Sequence, residues 1–424
     1  MNLRTTPLTI AAFLLALCLA SVAPIIALQL GAPQTEPAQA TQQSTPARGT
    51  QQSAQKVVRF PFELSGNMIF LPVRVNGSKP LSFGLDSGAY LSVINTPIAE
   101  QLRLKTSGRS VGFGAGGQVP SLDLPDVTLD ISGAMLKDLD LSAMALGSIE
   151  NSLGRAMDGI LGAEFFKRYV VEVDYEKREI TLYEPADYVY SGRGESLPLT
   201  FYHNHPYVRA TISLPGIDPV EGEFVIDAGS NYPVILLPSF VERNRLRESL
   251  KPAVTTFGRG VGGEIRMPIG RATTLHLGNL KLDHPVTAFP ENGWFGERGK
   301  AGNIGSAVLR RFKVIFDYSR ARMILEPNKY FSDAFEHDMS GLSLVSDGPA
   351  FKVIRVNRVL AHSPAEEAGI KQGDEIVAVG DRPAERFKLQ SLREMLREPG
   401  KVFSLRVKRG AEIISLELKT RRLV

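Results

Sequence analysis

The sequence predicts an all-β protein in which two homologous lobes stand in tandem and a smaller β-rich module follows them. Three observations carry that prediction. Short alternating runs such as Val170-Val171-Glu172-Val173 and Lys313-Val314-Ile315-Phe316 are broken by Gly, Pro, Asn or Asp about every eight to twelve residues, the punctuation of strands and turns. The chain repeats itself at a near-constant offset, and its texture changes past Pro327. A length of 424 residues suits two or three domains, and 43% hydrophobic with 22% charged residues is the composition of a globular chain.

At the N-terminus, Arg4 precedes a stretch from Leu8 to Leu30 with no charged residue, long enough at roughly 20 residues to cross a bilayer or serve in secretion. Residues 1–30 are therefore expected to be a signal peptide or signal anchor. The body is expected to be extracytoplasmic, whether periplasmic, secreted or held at a membrane by this segment. Residues 31–55, rich in Ala, Gln, Pro, Thr and Ser and free of aromatics, read as a disordered linker.

The net charge of +4 is too small to imply a nucleic-acid partner. The single cysteine, Cys18, leaves the body without disulfides or thiolate metal sites. Of six histidines only His203 and His205 are close together; a strand would put them on one face, but no third ligand stands nearby. Neither a metal nor a cofactor is expected.

The repeat sets the lobes. Leu81-Ser82-Phe83-Gly84-Leu85-Asp86-Ser87-Gly88 matches Gly222-Glu223-Phe224-Val225-Ile226-Asp227-Ala228-Gly229, 141 positions on. Phe113-Gly114, Ile160-Leu161-Gly162 and Val173-Asp174-Tyr175 match Phe257-Gly258, Asn303-Ile304-Gly305 and Phe316-Asp317-Tyr318 at offsets of 144, 143 and 143. Four markers in one order place lobe 1 at 57–187 and lobe 2 at 195–328. Short helices are expected at Pro97 to Leu102, Ala163 to Arg168, Pro238 to Arg245 and Ala307 to Arg311. Gly112-x-Gly114-x-x-Gly117 and Gly258-x-Gly260-x-x-Gly263 fit the dinucleotide-binding spacing, but each runs on to a proline, Pro120 or Pro268, instead of opening a helix. They read as glycine-rich hairpin tips.

Each repeated aspartate ends an apolar run and is followed by Gly and a second apolar stretch, which presents its carboxylate on a loop between buried strands. If the lobes pack about a pseudo-twofold axis, Asp86 and Asp227 meet. Two carboxylates about 3 Å apart cannot both ionise easily, so such a pair shares one proton. The ionised member can then take a proton from water while the protonated member polarises a carbonyl, which is amide hydrolysis by general acid and base. Ser230, three residues past Asp227, is expected to donate to that carboxylate and keep it the more ionised of the two, because Ala89 offers Asp86 no equivalent.

These residues resemble the pepsin-like and retroviral-type aspartic proteases, whose lobes carry Asp-Thr/Ser-Gly and later a hydrophobic-hydrophobic-Gly motif. The resemblance covers most of residues 57–328 and implies a bilobal acid-protease fold acting as an aspartic-type endopeptidase on peptide or protein substrates. It implies catalytic Asp86 and Asp227, supported by Ser87, Gly88, Gly229, Ser230, Gly162 and Gly305. It also implies a flap tipped by Gly114, Gly116 and Gly117, with 258–265 as a second one. Two departures stand out: Ala228 lacks the hydroxyl that in the family braces the lobe interface, and Asn303 is polar where the family prefers an apolar residue. The alternative is a non-catalytic extracytoplasmic peptide-binding protein.

Beyond Pro327, Gly341-Leu342-Ser343-Leu344 precedes a strand, and the run from Ser363-Pro364 to Gly373-Asp374-Glu375-Ile376-Val377 gives a short helix, a glycine-bounded turn and a buried strand in that order. Residues 338–424 closely resemble a PDZ domain of the type attached to bacterial secreted proteases. A second helix is expected at Leu389 to Arg397. The resemblance implies that Gly341, Leu342, Ser343 and Leu344 take a peptide C-terminus, the backbone holding its carboxylate and the leucines its apolar side chain.

Overall fold

The computed structural model describes residues 57–249, 254–291 and 299–424. The targeting segment and linker expected at 1–30 and 31–55 lie outside them. Among the described residues no helix is long and apolar enough to cross a membrane.

Strands dominate, and the sheet that joins the lobes carries their symmetry. It has six strands in the order Val57–Pro61, Glu179–Tyr183, Val170–Asp174, Phe312–Asp317, Arg322–Pro327 and Glu195–Pro198. At its centre Val171 faces Phe316, Glu172 faces Ile315 and Val173 faces Val314. Exchanging the lobes at the repeat offset of 143 turns the first of these pairs into the third and leaves the second unchanged. A pseudo-twofold axis therefore passes through the Glu172–Ile315 pair.

The sheet is held from beneath by Asp317, fully buried, which accepts from Arg322 Nε at 2.8 Å, Arg320 Nη1 at 3.2 Å and Ser319 Oγ at 2.7 Å. A buried carboxylate without such partners would be costly.

Each lobe adds its own sheet, of eight strands in lobe 1 and ten in lobe 2 among the described residues. Their central strands are rich in Val, Ile, Leu and Phe and buried on both faces, for example Val234–Leu236 and Val93–Asn95. Both glycine-rich segments are antiparallel hairpins: Gly108–Gly114 with Gly117–Ile131, and Val254–Gly260 with Gly263–Arg271.

The helices Thr96–Gln101 and Pro238–Arg243 each begin with proline in the first turn, where its missing N–H costs nothing. The second ends before the expected Arg245, which takes a positive φ of 52°. Ala163–Arg168 spans the expected residues, and the helix expected at Ala307 to Arg311 is Ser306–Leu309. A helix at Gly147–Leu153 has no counterpart in the sequence reading; it is only seven residues long and has no side-chain cap. His203 and His205 do not share a strand face. His203, at φ 46°, belongs to the turn before the strand His205–Ser213.

The C-terminal module is a five-strand sheet path, Leu342–Asp347, Val353–Val359, Glu375–Val379, Val402–Arg409 and Glu412–Lys419, over its own apolar core, with helices Pro364–Glu367 and Leu389–Met395. Arg311 fastens the connector to lobe 2. It is 1% exposed, its guanidinium donates to the carbonyls of Tyr330, Phe331, Asp333 and Ala334, and it lies 3.6 Å from the Phe335 ring centroid.

Candidate active site

Asp86 follows the strand Leu81–Leu85, and Asp227 closes the strand Val220–Asp227. Each of these strands pairs in parallel with the strand carrying the later glycine motif, Leu85 opposite Leu161 and Asp227 opposite Gly305. Parallel pairs need a long crossover, so the chain between the two motifs loops out and returns beside the aspartate. That is how a repeat marker some 75 residues downstream comes to buttress each carboxylate, with Asp86 N donating to Leu161 O at 3.0 Å and Gly305 N to Pro233 O at 3.0 Å. Gly162 N donates to Ser92 Oγ at 2.9 Å, holding the loop after Asp86.

Across the pseudo-twofold axis the two carboxylates hydrogen-bond to each other. Each also accepts from the glycine two residues on, Gly88 N to Asp86 Oδ1 and Gly229 N to Asp227 Oδ1, both at 2.8 Å. The same glycines make the approach possible. A Cβ on Gly88 would sit 2.7 Å from the Asp227 carboxyl carbon, and one on Gly229 would crowd Asp86 in the same way. Any side chain at either position would drive the carboxylates apart.

The brace beneath the dyad is one-sided. Ser87 Oγ donates to Ile226 O at 2.7 Å and accepts from Ala228 N at 3.0 Å, so one hydroxyl bonds the opposite loop twice. Ala228, 1% exposed, returns nothing but its methyl group.

A different departure compensates. Asn303 Nδ2 donates to Asp227 Oδ2 in a short contact. The Ser230 hydroxyl, expected to fill this role, does not; Ser230 instead uses its backbone, its N–H reaching Asp227 O at 3.3 Å and its carbonyl accepting from Ser306 Oγ at 2.7 Å. Asn303 sits two residues before Gly305 on the parallel strand, opposite Val225, which aims its side chain at the carboxylate.

Burial raises the pKa of both aspartates, and the two differ in what opposes it. Asp86 is pushed well above the usual carboxylate range by burial, then by the charge and hydrogen bond of Asp227. Asp227 is raised less, because the hydrogen bonds from Asp86, Asn303 and Gly229, together with the charge of His205, favour its ionised form. The hydrogen bonds on Asp227 thus bias the shared proton towards Asp86. The expected asymmetry is present, with Asn303 as its source rather than Ser230.

The dyad opens into a cavity of about 690 Å³. Its lobe 1 wall is apolar and methionine-rich, with Met68, Met144, Met157 and Ile160, and its lobe 2 wall includes His205, Tyr207, Ile235 and Met267. Both hairpins line it, and their tips touch: Gly116 N donates to Val261 O at 2.8 Å, while Gly114 and Gly117 pack on the backbone of Val261 and Gly262. Side chains at Gly114, Gly116 or Gly262 would hold the tips apart.

The same cavity reaches the C-terminal module, where Leu342, Ser343 and Leu344 line it beside Arg393 and Arg397. The loop expected to offer its N–H groups to a peptide carboxylate has two of them engaged. Gly341 N donates to Asp338 Oδ2 at 2.6 Å and Leu342 N to Ser340 Oγ at 3.1 Å. Arg393 Nη2 donates to Leu344 O at 2.6 Å. Sequence reasoning passed over Asn303 as a functional residue and His205 as a cavity residue. The signal for Asn303 was present, as the one polar side chain in an otherwise apolar motif.

Residues 71–165 match the aspartyl protease family and residues 355–409 match the PDZ domain family. No curated protein matches the chain. The chain thus carries an aspartyl protease domain and a C-terminal PDZ domain. The first match takes in Asp86 and Gly162; Asp227 and Gly305 lie beyond it.

Proposed function

We propose that the protein is an aspartic-type endopeptidase in which Asp86 and Asp227 activate one water against a peptide bond, and in which the PDZ domain adds peptide recognition. The observation that carries this reading is the approach of the two carboxylates across the pseudo-twofold axis, each packed on the glycine that follows the other. In the proposed cycle an extended peptide lies beneath the paired hairpins. Asp227, ionised, takes a proton from water as the oxygen attacks the scissile carbonyl, and Asp86 gives its proton to the carbonyl oxygen. The tetrahedral diol then collapses: the C–N bond breaks as the proton on Asp227 passes to the leaving amine, and a diol hydroxyl returns its proton to Asp86 as the carboxyl group forms, which restores the dyad with one proton. Atoms balance with one water consumed and no covalent intermediate.

The charge-free stretch from Leu8 to Leu30 supports placing this activity outside the cytoplasm. Incubation of the protein with a peptide library, with and without a statine-type transition-state mimic, tests the reading. Cleavage that disappears in both Asp86→Asn and Asp227→Asn supports it. Cleavage that survives Asp86→Asn sinks the dyad. Peptide binding without cleavage in the wild type identifies a peptide-binding protein, to which the absent hydroxyl at Ala228 would then belong.

A further inference from the structure

The PDZ domain rests on the lobes by the face that would take a peptide. Its strand Leu342–Asp347 pairs only with Val353–Val359 among the described residues and so has an edge without a partner strand, the kind of edge to which extended peptides add, with Arg393 on its Leu344 carbonyl. The helix Gly147–Leu153 of lobe 1 packs against that strand, and the same helix packs against Val254–Gly260, the outer strand of the second hairpin. The seat is close. A Cβ on Gly154, which ends the helix at φ 68°, would lie 2.6 Å from Leu389 Cβ and 3.3 Å from Ser346 Cβ.

The second hairpin is also tied directly to the PDZ domain. Glu264 Oε1 accepts from Arg358 Nη2 at 2.7 Å and Nε at 3.2 Å, and its Oε2 accepts from Asn357 Nδ2 at 3.2 Å. The Arg358 guanidinium lies 4.5 Å from the Phe257 ring centroid on the facing strand of that hairpin. Burial works against the charge of Glu264, but these bonds outweigh it and hold its carboxyl below the usual range. Arg358 is the register partner of Ser343 on the peptide-binding edge. Glu264 stands three residues past Val261, whose carbonyl holds the tip of the first hairpin.

We propose that the docked PDZ domain is a latch: an extended peptide pairing with Leu342–Asp347 displaces the 147–153 helix, breaks the Glu264–Arg358 pair and frees the second hairpin from the mouth of the cleft. The inference rests on reading the cleft as that of a peptidase. With the latch closed the hairpin tips meet over the dyad and restrict access; with it released, substrate reaches the aspartates. Two guanidinium N–H groups converging on one carboxylate oxygen, with Asn357 on the other, have the geometric definition such a device needs.

The test is hydrogen exchange of the 254–271 amides in the full chain carrying Asp86→Asn, so that the readout does not depend on hydrolysis. Glu264→Gln should speed that exchange up to about fivefold, the loss expected of one partly exposed ion pair. Gly154→Asn should do the same from the other side, because Asn tolerates the positive φ and its Cβ wedges against Leu389. Glu264→Arg combined with Arg358→Glu should restore slow exchange, and the peptide library should raise exchange in the parent. Unchanged hairpin exchange in both single variants, or a parent hairpin insensitive to the library, overturns the proposal. Responsive exchange in a protein whose wild type cleaves nothing keeps the latch and removes only the peptidase reading.

Discussion

Asn303 is the residue on which the division of labour within the dyad depends, and replacing it with leucine tests that directly. Leucine keeps the volume and removes the donor to Asp227 Oδ2. A hydrogen bond to a charged group contributes about 1.5–3 kcal/mol to the form that accepts it, so its loss raises the Asp227 pKa further. The proposed cycle needs Asp227 ionised, so the acid limb of the kcat/KM profile should move to higher pH while the maximum falls modestly. The measurement is hydrolysis of one cleaved peptide across the acid range, with Tm recorded at each pH to exclude unfolding. Asn303 Oδ1 is buried without a partner among the described residues, so leucine also removes an orphan acceptor; Tm should hold at acid pH, where Asp227 is protonated, and fall at neutral pH, where it is ionised. An acid limb that stays in place, or that moves to lower pH, refutes the assignment of Asn303 as the group that keeps Asp227 ionised.

Three further outcomes follow from the same contacts. Asp86 binds its proton more tightly folded than unfolded, so its own contribution to stability is full below pH ~4 and declines as pH rises towards the folded pKa. Asp86→Asn should therefore raise Tm at pH 7 more than at pH 4 in calorimetry while abolishing cleavage; an equal gain at both contradicts the raised pKa. Ser87→Ala removes both bonds to the opposite loop and should cost about 2–3 kcal/mol in urea unfolding, whereas Ala228→Ser, which supplies the missing hydroxyl, should add about 1 kcal/mol. Asp317→Ala leaves Arg322 and Arg320 unpaired beneath the shared sheet and should cost about 3–5 kcal/mol; a loss under about 1 kcal/mol would show that the buried ion cluster contributes little.

Much of this architecture was legible because it is duplicated. A single Asp-Ser-Gly is an ordinary turn, but the second copy at Asp227, with matching downstream glycines, implied two related lobes and hence a place where their loops meet. The hairpins were legible for a local reason: clustered glycines that run into Pro120 and Pro268 cannot open a helix. The 147–153 helix was not legible. Its seven residues carry no cap and show little amphipathic period, and its neighbours, the PDZ edge strand and the second hairpin, lie far away in sequence.

The fate of Ser230 marks the same boundary. Spacing along the chain put a hydroxyl within reach of Asp227, but side-chain direction is set by the surrounding fold. The loop turns that serine to support Ser306 through its backbone, while the parallel strand turns Asn303 inward.

Taken alone, the order of residues determined the composition of the lobes, their twofold relation and the identity of the paired carboxylates, because each depends on local pattern and on a repeat. Only the tertiary structure decided which side chain supports Asp227, and that the PDZ edge lies against the lobes. Both are set by contacts between segments distant in the chain, such as Asn303 with Asp227 and Arg358 with Glu264, and sequence spacing does not encode the distance between side chains that only packing brings together.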